Sequence, residues 1–363
     1  MIIFTSICAN YLHKARTLAT SVKRNIPDAK FFVCLVESEK IQQYEYKDFD
    51  EVILAKEMWQ GNFDRFIFKH SIVEASTSVK GHFFKYLMER FPHEDEFVYL
   101  DPDCYVYSDF IEIRDLLRRE SIILCPHLLQ YGNIDMELSS TAHGVYNLGF
   151  LAVNHSKEAI EFINWWSERL YLFCYDDIKN GIFTDQKWID LAPCFFDVHI
   201  LKHKGYDLAP WSLYQCEMSK NETGYFVGED PLRFIHFSGF GSSAKMCMKK
   251  WLPNEEHVFY ELYNEYANIH QENDKDSISK TQWSYSRYST GEKIEDSVRK
   301  KYREDYDLMF SIENPFLKSN KYFIENICSP SRNLLKKCIK VIKEEGILCF
   351  LKKVKGAILN EKC

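Results

Sequence analysis

Residues 97–103 read FVYLDPD, an apolar run followed by two aspartates two positions apart. The run predicts a buried β-strand from Phe97 to Leu100, because a strand covered on both faces carries apolar side chains at successive positions. In extended backbone, positions i and i+2 point to the same side, so Asp101 and Asp103 can face one ligand. Two such carboxylates can share a divalent cation, and oxygen ligands suit Mg²⁺ or Mn²⁺. A plain surface turn is the alternative, since Asp-Pro-Asp is also good turn chemistry.

The residues before this stretch alternate between strand and helix patterns. Apolar runs predict strands at Ile2 to Ile7 and Phe31 to Val36, and helical spacing spans Leu12 to Asn25 and Val73 to Phe91. This alternation predicts a largely parallel sheet with covering helices. Ligands on such sheets bind beyond the carboxyl ends of the strands, which is where the two aspartates follow Leu100.

Downstream of the aspartates the predicted fold is mixed and then helical. Strands are predicted at Ile122 to Cys125, Asn147 to Val153, Phe195 to Leu201 and Phe234 to Phe237. Lys157 to Tyr171 has the spacing of an amphipathic helix. Beyond about residue 255 the pattern is helical and polar.

The composition excludes several classes of protein. The chain has 363 residues, of which 46% are apolar and 15% aromatic, and this rules out a disordered protein. A net charge of -7 argues against a general nucleic-acid binder. The first residues resemble no signal peptide, and no stretch reaches the roughly 18 apolar residues that a membrane helix needs. Twelve cysteines without CxxC spacing then predict reduced thiols in a cytoplasmic protein.

The last 33 residues differ from the rest of the chain. Residues 331–363 hold nine Lys and Arg against three Asp and Glu, and apolar positions alternate with lysines. One interpretation is a basic amphipathic helix that lies on an anionic membrane surface. The other is a solvated helix packed on the domain, and the pattern does not separate the two.

Three further motifs could contribute residues to the same site as the two aspartates. His236 ends a predicted strand, where its imidazole could be a third ligand that suits Mn²⁺ better than Mg²⁺, although such histidines more often belong to the core. Asn147 offers an amide donor and acceptor, and Gly149 permits the close approach of a ligand. Asp185 and Gln186 place a carboxylate beside an amide. Each motif alone is a weak signal, and a turn or helix cap is the default.

The order of these motifs resembles that of the GT-A glycosyltransferases. The elements are an N-terminal strand, Leu-Asp-x-Asp at 100–103, Tyr-Asn-x-Gly at 146–149, Thr-Asp-Gln at 184–186 and His-x-Ser-Gly at 236–239. The similarity covers about residues 1–250, and it is closest to retaining family 8 and to related enzymes of bacterial lipopolysaccharide and capsule synthesis. It implies an α/β fold of the GT-A type, a mixed Rossmann-like sheet flanked by helices. The implied divisions are a catalytic domain of residues 1–255, a mostly helical extension of 256–330 that could form an acceptor side, and the tail of 331–363.

The resemblance also implies roles for individual residues. Asp101, Asp103 and His236 would hold Mn²⁺ or Mg²⁺. Asp185 and Gln186 would lie near the sugar and its anomeric carbon as the catalytic candidates. The other implied positions bind the donor: Thr5, Ser6, Asn10 and Tyr11 around the base and ribose, Lys80 near the donor, Asn147 and Gly149 at the sugar, and Lys245 at the diphosphate.

The implied reaction is the metal-dependent transfer of a hexose from a nucleotide diphosphate sugar, with UDP-sugars favoured, to a glycan or lipid-linked acceptor. It would proceed with retention and serve cell-surface polysaccharide synthesis. The enzyme would be cytoplasmic or peripheral on the inner face of the plasma membrane. Two positions depart from family 8: Lys80 stands where Arg is more usual, and residues 242–245, SSAK, replace its Lys-Pro-Trp.

Two other classes stay open. A sugar-1-phosphate nucleotidyltransferase has a similar sheet and metal but a Gly-rich first loop, whereas residues 5–10 contain no glycine. A non-catalytic carbohydrate-binding or scaffold protein would use exposed aromatic platforms. Its candidates are Trp165, Trp166, Trp188 and Trp211.

Overall fold

The computed structural model describes residues 1–326. The basic tail predicted for residues 331–363 therefore lies outside the described residues, together with its predicted contact with a membrane. The predicted domain borders at residues 255 and 330 stay predictions. The chain divides into two compact units: unit 1 comprises Met1–Met58 and Ser76–Gln282, and unit 2 comprises Trp59–Ala75 and the residues from Trp283 onward.

A seven-stranded sheet organises unit 1, with strand order β10-β6-β7-β4-β1-β2-β3. The neighbouring strands β4, β1, β2 and β3 are parallel, and β7 runs antiparallel to both β4 and β6. The predicted mixed, mainly parallel sheet is confirmed. The strands are β1 (Ile2–Ile7), β2 (Lys30–Leu35), β3 (Glu51–Leu54), β4 (Phe97–Leu100), β5 (Cys104–Val106), β6 (Ile122–Pro126), β7 (Tyr146–Val153), β8 (Asp176–Asp177), β9 (Ile182–Phe183), β10 (His199–Ile200), β11 (Met218–Asn221), β12 (Gly224–Val227), β13 (Asp230–Pro231) and β14 (Phe234–His236).

The central strands are buried along their whole length. All six residues of β1, all four of β4 and all eight of β7 are buried. Helix α1 contributes Leu18 and Val22 to the same hydrophobic cluster as Ile3, Val33 and Val98 from the sheet. Burial on both faces explains why these strands read as continuous apolar runs in the sequence.

Helices flank the sheet and make up the C-terminal region, as the sequence predicts. Across residues 1–326, no helix combines the length and the apolar character that a membrane crossing requires. The helices are α1 (Leu12–Asn25), α2 (Phe63–Phe68), α3 (Ile72–Ser78), α4 (Lys80–Arg90), α5 (Ile111–Leu117), α6 (Ile134–His143), α7 (Lys157–Phe173), α8 (Ala192–Phe195), α9 (Ser243–Trp251), α10 (Val258–Asn273), α11 (Asp296–Glu304), α12 (Tyr306–Ser311) and α13 (Asn320–Asn326).

Two segments differ from the sequence-based prediction. The helix expected from Val73 to Phe91 is two helices, α3 and α4, with Val79 between them. The strand expected from Phe195 to Leu201 is confined to β10, because Phe195 ends α8, a short helix with proline in its first turn.

Unit 2 is helical and rich in aromatic side chains. Phe68 of α2 packs edge-on against Tyr302 and Phe316, with ring centroids 4.9 and 5.1 Å apart. Arg299 of α11 donates hydrogen bonds to the carbonyl oxygens of Phe68 and Tyr285, which satisfies its buried guanidinium. These contacts join α2 to the C-terminal helices, which are distant in sequence.

Candidate active site

Three predicted ligands converge just beyond the carboxyl end of β4. Asp101 and Asp103 follow this strand, and β5 then pairs antiparallel with β14, which places His236 opposite Cys104. Nε2 of His236 lies 3.2 Å from Oδ1 of Asp103 and 3.7 Å from Oδ2 of Asp101. One ligand atom from each of the three side chains lies within 4.8 Å of the others. The three side chains therefore lie together, and their predicted role as ligands of one cation stays a prediction.

The donor set and the space around it fit a divalent cation. Two carboxylate oxygens and one imidazole nitrogen suit Mn²⁺ and are compatible with Mg²⁺. Gly149 makes room for the imidazole: a Cβ at this position would lie 2.4 Å from Cε1 of His236. The backbone N–H of Asp101 donates to the carbonyl oxygen of Gly149 at 2.9 Å, which fixes residues 101–103, the candidate metal loop, against β7.

The charges of this cluster are balanced internally. Burial would raise the pKa of Asp103, but the ammonium of Lys14, 3.6 Å away, and His236 outweigh burial and lower it. Burial also disfavours the charged imidazole, yet the neighbouring carboxylates of Asp103 and Asp207 raise the pKa of His236 to about 10. A proton on His236 therefore balances the aspartates, and a cation ligated by Nε2 has to displace that proton.

Lys80 joins the metal loop to the Thr-Asp-Gln segment. Its Nζ lies 2.9 Å from Oδ2 of Asp185 and 3.2 Å from Oδ1 of Asp101, and it donates to the carbonyl oxygen of Leu148 at 3.0 Å. Burial disfavours the ammonium, but the two aspartates outweigh burial and raise the pKa of Lys80 well above its usual value. Burial raises the pKa of Asp185, and Lys80 partly offsets the increase.

Gln186 and Asn147 use their amides to hold the start of β7. Oε1 of Gln186 accepts from the N–H of Leu148 at 3.0 Å, and its Nε2 donates to the carbonyl oxygen of His143 at 3.1 Å. Oδ1 of Asn147 accepts from the N–H of Gly149 at 2.8 Å. Both amides are thus oriented by the backbone, and their predicted contacts with a sugar stay predictions.

The predicted nucleotide-pocket residues have different surroundings. Thr5 and Ser6 are buried in β1, and Oγ of Ser6 donates to the carbonyl oxygen of Ser76 at 2.7 Å. Oδ1 of Asn10 is buried and accepts no hydrogen bond from any residue between 1 and 326. Tyr11 is 36% exposed. Asn10 and Tyr11 are therefore better placed than Thr5 and Ser6 to meet a ligand.

Lys245, the predicted diphosphate contact, is exposed in the first turn of α9. Its predicted role stays a prediction.

Sequence reasoning missed three residues of this site. Lys14 of α1 reaches Asp103, and its ammonium lies 4.3 Å from the ring centroid of Tyr11. The Tyr99 hydroxyl donates to Oδ1 of Asp101 at 2.5 Å. Asp207 lies behind His236, with Oδ1 3.4 Å from Nδ1 of the imidazole, and burial raises its pKa to about 6. Tyr99 lies in β4, next to the two aspartates. No local sequence pattern marks Lys14 or Asp207 as residues of the site.

The sequence matches no protein-family model. It is 23% identical over 242 residues to the uncharacterized protein YfnD of Bacillus subtilis (strain 168), a match that covers 65% of this chain and 76% of that protein. It is 28% identical over 178 residues to the uncharacterized protein YfnF of the same strain, covering 46% of this chain and 57% of that protein.

Solved structures that are similar to this chain are glycosyltransferases. The galactosyltransferase LgtC, in complex with donor and acceptor sugar analogs, has a TM-score of 0.44 and 18% sequence identity. That similarity covers 74% of this chain and 95% of LgtC.

Proposed function

We propose that this protein is a metal-dependent glycosyltransferase that moves a hexose from a nucleotide diphosphate sugar, with UDP-sugars favoured, to a glycan or lipid-linked acceptor. One observation carries the proposal. The ligand atoms of Asp101, Asp103 and His236 converge within 4.8 Å beyond the carboxyl end of β4, next to the buried pair of Lys80 and Asp185. Ligands of parallel sheets bind at such strand ends.

Asp101, Asp103 and His236 would hold Mn²⁺ or Mg²⁺. When bound, a divalent cation neutralises the charge that develops on a leaving nucleotide diphosphate. This Lewis-acid effect typically lowers the activation free energy by several kcal/mol. Tyr99 and Lys80 each contact Oδ1 of Asp101, so its carboxylate is oriented before any ligand binds.

Asp185 is the carboxylate that we assign to the reacting sugar. The Lys80 ammonium, 2.9 Å away, favours its ionised form in a buried position, and an anion near the anomeric carbon stabilises an oxocarbenium-like transition state. Transfer with retention has two routes: a covalent intermediate on a carboxylate, or attack on the face from which the diphosphate leaves. Asp185 would be the nucleophile of the first route. Retention and a place in surface-polysaccharide synthesis are supported by the sequence resemblance.

The experiment is a screen of UDP-, GDP- and dTDP-sugars with the full chain, in which release of the nucleotide diphosphate is measured with Mn²⁺ and with EDTA. We expect Mn²⁺-dependent release of UDP that Asp103→Asn abolishes. Asp28→Asn is the matched control, because it removes an exposed carboxylate that pairs only at the surface with Arg114. Release that persists in EDTA, or no release from any nucleotide sugar, would contradict the proposal.

A further inference from the structure

We propose that Asp207 is a positioning residue that keeps the imidazole proton of His236 on Nδ1 and so leaves Nε2 free to ligate the cation. The inference rests on the proposed function, because it takes the cluster of Asp101, Asp103 and His236 as the cation site. Ligating histidines usually donate their second ring N–H to a carboxylate, a carbonyl or water, and this bond sets tautomer and ring orientation.

The two nitrogens of His236 face different carboxylates. Nε2 faces Asp103 and Asp101, at 3.2 and 3.7 Å, and Nδ1 faces Oδ1 of Asp207 at 3.4 Å. Trp211 packs edge-on against the imidazole, with ring centroids 5.5 Å apart. The ring is thus held between the cation ligands on one side and Asp207 on the other.

Asp207 depends on this contact. Its side chain is 2% exposed, and neither carboxylate oxygen accepts a hydrogen bond of normal geometry from the described residues. Within residues 1–326, His236 supplies the one basic nitrogen found within 4.0 Å of this carboxylate. A buried carboxylate without a partner is costly, so a proton on Nδ1 of His236 is strongly favoured.

Backbone contacts bring Asp207 close to His236, and they require an unfavourable backbone conformation at Asp207. The N–H of His236 donates to the carbonyl oxygen of Leu208 at 2.8 Å, and Leu208 forms a bridge with Ile235. Asp207 itself has φ 54°, in the left-handed region that most residues with a side chain avoid. Aspartate and asparagine tolerate this region better than other non-glycine residues.

Asn147 favours the opposite tautomer. Its Oδ1 is occupied by the N–H of Gly149, so its NH₂ group points toward Nδ1 of His236 at 3.1 Å. An NH₂ group can donate only to an unprotonated Nδ1, which would move the imidazole proton to Nε2 and block ligation. A charge-assisted bond to a carboxylate is stronger than a bond between neutral groups, so Asp207 outweighs Asn147.

The test measures Mn²⁺ affinity of the full chain from the free-Mn²⁺ signal in electron paramagnetic resonance. Asp207→Leu should weaken binding by about 10- to 100-fold, because the imidazole loses the partner that fixes its tautomer. Asp207→Asn should lose less, since its side-chain oxygen can still accept from Nδ1–H. The thermal unfolding temperature is recorded for each variant.

Moving the carboxylate from position 207 to position 147 distinguishes a role in positioning the imidazole from a role in packing. In the double variant Asp207→Asn with Asn147→Asp, the carboxylate again faces Nδ1 and still accepts from Gly149, and we expect affinity above that of Asp207→Asn alone. In Mg²⁺-loaded protein with ¹⁵N-labelled histidine, Nδ1 of His236 should be the protonated nitrogen, and Asp207→Leu should change that spectrum.

The outcomes distinguish the two proposals. If wild-type protein binds Mn²⁺ and Asp103→Asn abolishes binding, but Asp207→Leu binds as wild type does, the role of Asp207 is wrong and the cation site stands. If Asp103→Asn binds Mn²⁺ as tightly as wild type does, the cation site itself is wrong. A lowered unfolding temperature with unchanged affinity would show that Asp207 has only a structural role.

Discussion

Lys80 and Asp185 form an ion pair of 2.9 Å in the interior of unit 1. Lys80 is 2% exposed and Asp185 is 3% exposed, so neither charge is solvated by bulk water. Their elements, α4 and the segment after β9, are far apart in the sequence, and Lys80 also reaches Asp101. One ammonium thus couples the metal loop to the carboxylate that we assign to the sugar.

Removal of this ammonium should destabilise the protein more than removal of a surface lysine. Lys80→Met leaves two carboxylates beside an uncharged side chain, and loss of one partner of a buried pair typically costs about 3–5 kcal/mol. Urea unfolding followed by tryptophan fluorescence measures this loss. Asp185→Asn in the same chain removes the orphaned charge and should restore part of the stability but no activity.

Lys23→Met is the matched control for this measurement. Lys23 pairs with Asp50 at 3.5 Å, and both side chains are 38% exposed, so we expect a loss of about 1 kcal/mol or less. If Lys80→Met and Lys23→Met lower the free energy of unfolding equally, the buried ion pair contributes no more to stability than the exposed one.

Asp103→Asn should abolish metal-dependent turnover and leave the fold intact. The variant removes one ligand oxygen, and we expect a decrease in kcat of about 10²- to 10³-fold, the range typical for loss of a group that stabilises transition-state charge. Asparagine has nearly the same shape as aspartate, so the fold should stay intact, but the loss of the ion pairs with Lys14 and His236 should lower the free energy of unfolding. Activity near that of Asp28→Asn at saturating Mn²⁺ would exclude Asp103 from the reaction.

The sequence predicts the helices and strands of this fold better than the tertiary contacts that bring the site residues together. The helix from Leu12 to Asn25 has the predicted bounds, and β4 is found where its apolar run lies, because local periodicity and burial determine both. The convergence on His236 depends on the pairing of β14 with β5, which no local pattern encodes. No sequence pattern indicated Asp207 as a site residue. Its proposed role depends on its left-handed backbone conformation and on the β-bridge between its neighbour Leu208 and Ile235.

Gly149→Ala should displace His236 and weaken cation binding. The added Cβ would lie 2.4 Å from Cε1 of His236, closer than real contacts allow, and 3.1 Å from Oδ1 of Asn147, a tight contact. Overpacking of this kind costs about 1–3 kcal/mol. Isothermal titration with Mn²⁺ and urea unfolding check both effects.

The combination of Gly149→Ala with His236→Ala tests the cause. Loss of the imidazole removes the steric conflict, so Gly149→Ala should cost less stability in the His236→Ala background than in wild type, and the double variant should not bind Mn²⁺. If Gly149→Ala costs as much stability in the His236→Ala background as in wild type, the conflict with the imidazole does not explain the loss.

His13 should make the protein less stable as the pH falls below neutral. Nε2 of His13 lies 3.0 Å from Nε2 of His270, and burial together with this neighbour lowers the pKa of His13 to about 4. An unfolded histidine titrates near ~6.5, so on acidification the unfolded chain binds a proton before the folded chain does. The stability due to neutral His13 is therefore complete above about pH 6.5 and is lost progressively toward pH 4.

Between pH 7.5 and 5.0 this linkage amounts to about 2 kcal/mol for His13. Urea unfolding at the two pH values measures it, and His13→Gln should reduce the pH-dependent loss by that amount. Buried histidines away from this contact, such as His127, contribute the same slope to both proteins, so the difference reports on His13 together with its partner His270. An identical slope in His13→Gln and wild type would mean that this histidine takes up its proton at the same pH in the folded and unfolded chains.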